Sequence, residues 1–571
     1  MTFQDTTYNE HPAHKVIIIH PGSLYVQIGR ASDVNPHTEL HAIARKRLIG
    51  GQSHHDLLLP PTVKRSTEVA QEMDEVRLQI SHTLQSCLQS DGRRRYATPP
   101  QQIAAFNRQA KPAPVTTPCS TSDQFIKPEK NIVVGNEVLY LDPALDFNVH
   151  FPIKRGDLNV HNGVGGSLTA VLADLQAIWS FILEYKFGIS HKDFKSYRAI
   201  LIIPDIYNRL YLRELMTLLL NNMGFGACFL IQDHVAATFG AGLGCACVVD
   251  VGHQKTSVSC VEDGISHPAT RVRLGYGGGD ITHAFHWLLQ KCAFPYKACD
   301  PNQSPRDALL LQQLKHDCCH INLDVCGSSE KSFVVQHPNS TSVQYTIQMA
   351  DECLIAPLSL FQPELLGVTG PKTLTTQKRS TGDPQDPHDA DYLRETSRRG
   401  LKEAMEANSE GGLGVDGGAG AVAGEEDIVV DNILEGVQGG GGSAPLDSEF
   451  TVNSNQLLGL DQAILQSIDR CVTDDLKRKM YASILVVGGG LKFHGINTWL
   501  HNKLSLQVPY MLRSEQMDIV TNAKDMDPQI TAWKGASVLC CLESVHELWI
   551  KPSEWDKYSV KLLREKACFM W

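Results

Sequence analysis

The chain has 571 residues, a formal net charge of −11 at pH 7, and 42% apolar and 20% charged residues. This length allows two or more domains with sizeable cores, and the composition is that of an ordinary soluble globular protein. The net negative charge argues against a protein that binds DNA phosphates over its whole surface, but it is compatible with basic protein partners. The sixteen cysteines include no Cys-x-x-Cys pair, so we interpret them as free thiols in a reducing compartment. No signal peptide or long apolar span is recognised, which predicts a cytosolic or nuclear protein.

Two stretches far apart in the chain share a strand–glycine turn–strand design. Residues 15–30 read KVIIIHPGSLYVQIGR, and residues 248–264 read VVDVGHQKTSVSCVEDG, in which the first strand ends at Asp250 and Gly252 makes the turn. Two such hairpins predict a duplicated α/β domain whose halves face each other. A carboxylate beside the backbone N–H groups of such a corner suits a phosphate and its metal, although a plain hairpin is the commoner use of this pattern.

The segment from about residue 50 to 130 is richer in Pro, Ser, Gln and charge, and it predicts an exposed insertion with one helix at 66–87. Two basic triplets, 45–47 and 93–95, could contact nucleic acid or act as an import signal. We interpret both as solvated loop charge. A second insertion, about 370–450, is so rich in glycine that we expect it to be disordered. Its island DIVVDNIL (427–434) could be a docking motif but is interpreted as linker.

Elsewhere, periodicity and chain breakers predict alternating helices and strands, as in an α/β sheet. The predicted helices are 167–185, 208–221 ending at Gly224, 232–240, 277–287, 308–321, 462–471 capped by Asp461, one from 496, and 536–542 begun by Gly535. The predicted strands are 199–203, 228–231, 332–336, 343–349 and 483–487.

The hairpins occur together with a glutamine at a helix start, Gln232, and a glycine-rich strand-to-helix loop, Gly488–Gly490. A nucleotide held between two lobes needs such parts. The chain resembles the actin family, and the segments that carry the resemblance are IIIHPGSLYVQIGRASD, HFPIKRGDLNVHNGVGGSLTAVLADLQAIWS, LIIPDIYN, VVDVGHQKTSVSCVEDGISH, SILVVGGGLKFH and KDMDPQITAWKGASVL. The resemblance covers nearly the whole chain outside about 50–130 and 370–450.

The resemblance implies an α/β, actin-like fold (the actin/Hsp70/sugar-kinase superfold), with two duplicated α/β lobes around a nucleotide cleft and two insertions. The first lobe is expected at 1–250, with 535–571 packing back onto it, and the second at 251–535. The implied cofactor is ATP or ADP, with or without Mg²⁺. The implied cofactor-binding residues are Ser23, Leu24, Asp250, Val251, Gly252, His253, Lys315, Gly488, Gly489 and Gly490. Gln232 is implied as the residue that positions water, and Asp250 as the one that holds Mg²⁺ through water.

Four departures from the family pattern weaken the catalytic reading. The family has an aspartate at His20, a lysine at Gln27, an aspartate at His253 and a histidine at Ser257. Removing positioned charge usually lowers a rate by orders of magnitude. We therefore expect nucleotide binding that is structural, with hydrolysis weak or absent. The alternative is that the two histidines fill a site that holds no nucleotide.

The resemblance also implies a non-catalytic nuclear subunit of an INO-80-type chromatin-remodelling complex, chromosome-associated in mitosis in some settings. Its expected partners are a helical segment of the remodeller ATPase, nuclear actin, other actin-related proteins, and histones or the nucleosome, with DNA contact left open. The expected roles are transcription regulation, DNA replication, recombination and repair, with no membrane contact and no filament. A weak ATPase or sugar-kinase-like enzyme is the alternative, and it needs an acidic catalytic residue near the cleft. A filament-forming actin is disfavoured because the insertions obstruct a repeated interface.

Overall fold

Two sheets form the framework, and each contains one of the two predicted hairpins. The computed structural model describes residues 13–62, 65–115, 125–126, 128, 130–336, 342–367, 374–377, 457–513 and 516–567. Most of the predicted Gly-rich insertion, including 427–434, lies outside the described residues.

The strands alternate with helices, as the sequence predicts. In chain order the strands are β1 Val16–Pro21, β2 Tyr25–Arg30, β3 His37–Leu40, β4 Ile43–Lys46, β5 Ala113–Pro114, β6 Ile132–Val134, β7 Phe147–His150, β8 Ile153–Lys154, β9 Asp157–Leu158, β10 Arg198–Ile203, β11 Ala227–Gln232, β12 Cys245–Val251, β13 Thr256–Glu262, β14 Ile265–Ser266, β15 Val272–Leu274, β16 Ser329–Val335, β17 Val343–Met349, β18 Leu374–Thr376, β19 Ser483–Val487 and β20 Asp518–Val520. The α-helices are α1 Thr67–Ser86, α2 Pro100–Gln109, α3 Leu168–Phe187, α4 Arg209–Thr217, α5 Asp233–Ala241, α6 Gly278–Lys291, α7 Pro305–Cys318, α8 Glu352–Leu358, α9 Leu460–Asp469, α10 Asp474–Ala482, α11 Ile496–Gln507, α12 Thr531–Leu539, α13 Pro552–Tyr558 and α14 Lys561–Lys566.

The two sheets repeat one topology. The first has the order β11-β10-β1-β2-β3, and the second contains β20-β19-β12-β13-β15, extended by β18. In each sheet the hairpin is antiparallel, and its first strand also pairs in parallel with a later strand, β10 or β19. The duplication predicted from the two hairpins is thus visible strand by strand. The exact bounds of the lobes stay a prediction.

Helix α3 is central to the core of the first sheet. Its side chains Leu175, Ile178, Trp179 and Ile182 are fully buried, because every third or fourth residue of the helix is apolar. By length and composition alone this helix could cross a membrane. Seven of its residues are buried against the rest of the protein, which is the packing of a core helix.

The C-terminal part of the chain returns to the first sheet, where Ile550 pairs with Cys228 of β11. Helix α12 crosses α5 so closely that a Cβ on Gly535 would lie 1.6 Å from the carbonyl oxygen of Ala236. The prediction that Gly535 begins a helix is therefore wrong: it lies inside α12 because only a glycine fits at the crossing. The predicted cap of α9 is also wrong, since the helix begins after Gly459 and Asp461 accepts a hydrogen bond from Gln507.

The first insertion is more ordered than the sequence suggests. Helix α1 is at the predicted position and is capped by Ser66, but α2 was not predicted. Asn107 of α2 hydrogen-bonds to the backbone of Gln348, and β5 pairs with β17. The insertion therefore leaves the first lobe and packs on residues predicted to belong to the second.

The basic triplets are not uniformly solvated. Arg95 is 6% exposed and forms an ion pair with Asp351 at 2.7 Å, whereas Arg93 and Arg94 are exposed. Arg45 pairs with Asp174 at 2.6 Å. The predicted start of the second insertion also needs correction, because Leu374–Thr376 forms an edge strand paired with β15.

Candidate functional site

A cavity of about 550 Å³ lies between the two hairpin turns. This volume is in the range of small-molecule sites in proteins. Most of the predicted cofactor-binding residues line it: Ser23, Leu24, Asp250, Gly252, His253, Lys315, Gly488, Gly489 and Gly490. The structure thus brings together residues from widely separated parts of the chain.

The two hairpin turns have the same closure. The N–H of Gly22 donates to the carbonyl of Tyr25 at 2.9 Å, and the N–H of Gly252 donates to that of Lys255, also at 2.9 Å. The first turn is further fixed by His41, whose Nδ1 lies 2.8 Å from the carbonyl oxygen of Gly22. Each sheet therefore presents a preformed tight turn to the cavity.

The loop Gly488–Gly490 follows β19 and can be built only from glycine. Gly488 has φ +88°, and a Cβ there would lie 2.4 Å from the carbonyl oxygen of Val251. A Cβ on Gly490 would lie 2.5 Å from a methyl group of Val251. Val251 itself does not line the cavity; it supports the glycine loop by accepting a hydrogen bond from the N–H of Gly490 at 2.8 Å.

Lysine 255 sits between two carboxylates on the cavity wall. Its Nζ lies 2.7 Å from Asp233 Oδ2 and 3.3 Å from Asp250 Oδ2. Burial alone would lower the pKa of Lys255, but the two carboxylates outweigh it and raise the pKa well above the ordinary value. The same ammonium overcomes the burial of Asp233 and lowers the pKa of that carboxyl group. Lys255 and Asp233 are therefore both charged at neutral pH.

This arrangement limits how a metal could bind. Carboxylate oxygens are the ligands that Mg²⁺ prefers, and Asp233 and Asp250 both line the cavity. Lys255 already pairs with both, so the protein alone does not form a cation cage. Asp250 is the residue that would hold a hydrated Mg²⁺, and ligand phosphates would supply further oxygen ligands.

The two histidines of the turns are neutral. Burial lowers the pKa of His20, and it lowers the pKa of His253 to about 4. His253 Nε2 donates to the carbonyl oxygen of Leu58 at 3.0 Å. Neither ring supplies the negative charge of an aspartate.

On the far wall, Lys315 of α7 reaches the start of α6. Its Nζ donates to the carbonyl oxygen of Gly278 at 2.6 Å and to Thr282 Oγ1 at 2.8 Å. Burial lowers the pKa of Lys315 to about 8. Lys315 is thus a mostly charged, firmly positioned donor at the cavity.

A sequence model of the family described as Actin matches residues 11–568. The chain belongs to the actin family. It is 54% identical to Actin-related protein 8 of Aedes aegypti, over 98% of both chains, and 40% identical to Actin-related protein 8 of Homo sapiens, over 97% of this chain and 92% of the other. A solved structure, human actin-related protein Arp8 in its ATP-bound state, superposes with a TM-score of 0.83 at 36% identity and covers 100% of both chains. The predicted family and the actin-like α/β fold are confirmed.

The residue implied as water-positioning in the actin family does not reach the cavity wall here. Gln232 is 1% exposed, and its amide donates to the backbone and side-chain oxygens of Asp205 at 2.9 and 3.1 Å. Ser257, which stands where the family has a histidine, is met by a different imidazole: His234 Nε2 lies 2.9 Å from Ser257 Oγ. Both groups belong to a buried polar network behind the turns.

A segment of the first insertion, Leu58–Pro60, crosses from the first lobe to the second beside the cavity. Besides the bond from His253 to Leu58, His283 Nε2 donates to the carbonyl oxygen of Pro60 at 2.8 Å. A second crossing is polar: Arg155 pairs with Asp280 at 3.2 Å. These contacts join the two lobes of this actin-family protein at the cleft.

Sequence reasoning missed Lys255, Asp233 and the Leu58–Pro60 crossing. Lys255 carried a usable signal, since it is a lone cation in an apolar hairpin, and Asp233 directly follows Gln232. Pairing between them depends on the register of β13 against β12, which places Thr256 opposite Val251. No local sequence pattern predicts that the backbone carbonyls of Leu58 and Pro60 accept hydrogen bonds from His253 and His283.

Proposed function

We propose that this protein binds ATP or ADP in the cleft as a structural ligand and acts as a non-catalytic subunit of an INO-80-type chromatin-remodelling complex. The observation that carries the non-catalytic part is the pairing of Lys255 with both Asp233 and Asp250. This ammonium already pairs with two carboxylates that a hydrolytic site would leave free to orient a metal and water.

Several features support nucleotide binding. Two glycine turns and a glycine loop surround the cavity, and Lys315 places a mostly charged ammonium on its wall. Phosphate groups are bound by such backbone N–H groups and cations. The ATP-bound human relative, similar over the full length, has the same fold.

The same residues argue for slow hydrolysis. Gln232 is committed to Asp205, and His20 and His253 are neutral. The carboxylates that line the cavity are all paired with cations: Asp157 with Arg273, and Asp233 and Asp250 with Lys255. Losing a single positioned group in a catalytic site commonly lowers kcat by about 10²- to 10³-fold. We therefore expect the protein to keep its bound nucleotide without hydrolysing it. The alternative is that it is a weak ATPase.

The scaffold role is proposed from the similarity to Actin-related protein 8 and from the net charge. We propose assembly with nuclear actin and other actin-related proteins on a helical segment of the remodeller ATPase, in the nucleus. A net charge of −11 favours recognition of basic histones over general binding of DNA, so nucleosome recognition would run through the histones, with DNA a secondary contact. Transcription regulation, DNA replication, recombination and repair follow from membership in such a complex. The ordered first insertion is a reason to expect no filament.

The test is purification of the tagged full chain from nuclear extract, with a tagged conventional actin as the matched control. We expect the remodeller ATPase and other actin-related subunits with this chain in fixed proportion, and mainly filament-binding proteins with the control. Recovery of the chain without remodeller subunits would refute the scaffold role. ATP turnover at the rate of a working ATPase, lost in Asp250→Asn, would instead favour the enzyme alternative.

A further inference from the structure

Three imidazoles and a carboxylate cluster on the first lobe, away from the residues that line the nucleotide cleft. His54, Asp56 and His150 each place one ligand atom within 4.8 Å of the others. His161 stacks on His54 with ring centroids 4.7 Å apart, and His54 stacks on His150 at 5.0 Å. Such a set of nitrogen and oxygen donors is what a divalent transition metal prefers.

The backbone explains why these side chains converge. His55 pairs with Val149 in a parallel bridge, with hydrogen bonds from Val149 to His54 at 3.1 Å and from Asp56 to Val149 at 3.0 Å. Alternate residues of an extended segment point to the same side. His54 and Asp56 therefore share one side, and His150, next to Val149, joins them there.

The donor atoms are oriented as well as close. Asp56 Oδ2 accepts from the N–H of Phe151 at 3.0 Å and from Asn159 Nδ2 at 3.1 Å, so Oδ1 is the oxygen left to face the cluster. His54 Nε2 is buried and makes no hydrogen bond to any part of the chain that the structure describes. It lies 3.3 Å from Asp56 Oδ1. Carboxylates and ligating rings that are held in this way by outer partners are typical of metal sites.

The distances suit zinc. Two ligands on a tetrahedral Zn²⁺, with bonds of about 2.0–2.1 Å, are about 3.3–3.4 Å apart, which matches the separation of His54 Nε2 from Asp56 Oδ1. His150 offers a third ligand atom within 4.8 Å of these two, and a side-chain shift would complete the three-ligand set. The loop beside it is glycine-rich: a Cβ on Gly165 would lie 2.3 Å from the His150 ring. This loop encloses the rings without adding side chains.

We propose that His54, Asp56 and His150 form a Zn²⁺ site with water as the fourth ligand, and that His161 supports it by stacking on His54. The ion would tie residues 54–56 to β7. Because this stretch leads directly into Leu58–Pro60, the metal would anchor the base of the segment that crosses the cleft. The site is independent of nucleotide binding and of any partner.

The test is titration of the full chain, freed of metal with a chelator, with ZnCl₂ in a calorimeter. The variant His54→Phe keeps a flat ring in the stack but removes the ligand nitrogen, and His55→Phe is the matched control on the opposite side of the strand. We expect wild type and His55→Phe to bind one equivalent, and His54→Phe to bind it at least about 100-fold more weakly. Asp56→Asn, which can still accept from Phe151, gives the same loss and serves if His54→Phe does not fold.

Cobalt substitution distinguishes metal bound at this site from metal bound by the cysteines. Co²⁺ bound by imidazole and carboxylate shows visible bands without a near-ultraviolet thiolate charge-transfer band, and these visible bands should vanish in His54→Phe. Three results would overturn the proposal: no zinc bound by wild type, equal affinity in His54→Phe and His55→Phe, or a thiolate band that accounts for all the cobalt.

Discussion

Lys255 Nζ lies 3.3 Å from Asp250 Oδ2, at the end of the hairpin that faces the nucleotide cleft. The same ammonium is 2.7 Å from Asp233 Oδ2, so one fixed cation serves two carboxylates. The contact connects the second hairpin to the helix that follows Gln232. It fixes an ammonium between the two carboxylates on the wall of the cleft.

Removing this charge should destabilise the protein. The side chains of Lys255 and Asp233 are 16% and 7% exposed, so Lys255→Met leaves nearly buried carboxylates without a partner. We expect a loss of about 3–5 kcal/mol in the free energy of unfolding, measured by chemical denaturation.

The control is Lys479→Met, because Lys479 forms an ion pair with Glu262 but its side chain is 58% exposed. Its loss should be much smaller, because solvent screens an exposed ion pair. The double variant Lys255→Met with Asp233→Asn should recover part of the stability lost in Lys255→Met. Additive losses in the double variant would contradict the assigned pairing.

The glycine loop gives a paired test of the cleft. Gly488→Ala and Gly188→Ala both put a side chain at positive φ, +88° and +65°, but only at Gly488 does the new Cβ meet other atoms. Both should lose about 1–2 kcal/mol through backbone strain, and Gly488→Ala should lose more. In thermal melts, ATP should raise the Tm of Gly188→Ala as in wild type and should not raise that of Gly488→Ala. Equal ATP responses would place the nucleotide elsewhere.

Two arginines of one triplet should behave differently. Arg95 is buried and paired with Asp351, whereas the side chain of Arg93 is 84% exposed. Arg95→Met should lower the free energy of unfolding by about 3–5 kcal/mol, because Asp351 is left unpaired. Arg93→Met should change it by less than about 0.5 kcal/mol. Similar small effects in both would mean that the first insertion does not pack on the second lobe.

His41 should make stability depend on pH. It is fully buried, and burial lowers its pKa from 6.5 to about 4. Between pH 6.5 and pH 4, His41 is protonated in the unfolded chain but not in the folded protein. The free energy of unfolding therefore falls as the pH is lowered from 6.5 towards 4. The contribution is up to about 1.4 kcal/mol per pH unit.

The variant His41→Asn isolates this contribution. Its amide can still donate to the carbonyl oxygen of Gly22, but it does not titrate. Denaturation at pH 7 and pH 5 should show a smaller loss in the variant than in wild type. An unchanged difference between the two pH values would show that His41 is protonated in the folded state.

Much of the fold was predictable because its signals are local. The helix at 168–187 has an apolar stripe and a serine cap, and the two hairpins have alternating apolar residues around a glycine turn. Gly535 misled because a glycine that begins a helix and one that lets two helices touch look alike in sequence. Helix α2 was missed although Ile103 and Ala104 are buried on it; its Asn107 bonds to the backbone of Gln348, a partner 241 residues away in the chain.

Most of the residues that line the site were predictable from the sequence, but the ion pairs between its charged side chains were not. The glycines and Asp250 were found from turn chemistry and resemblance, and they line one cavity. Gln232 was predicted to position water, yet its amide donates a hydrogen bond to Asp205, a partner 27 residues away in the chain. The pairing of Lys255 with Asp233 likewise depends on the packing of β13 against α5, which a linear pattern does not contain.

The central claim is that this cleft holds a nucleotide and does not consume it. The most direct measurement is the nucleotide content of the purified full chain, released by denaturation and followed by chromatography over hours with added Mg-ATP. The account predicts about one nucleotide per chain, with bound ATP persisting far beyond the turnover time of a working ATPase. A protein that retains no nucleotide, or that converts added ATP to ADP over many turnovers, would contradict it.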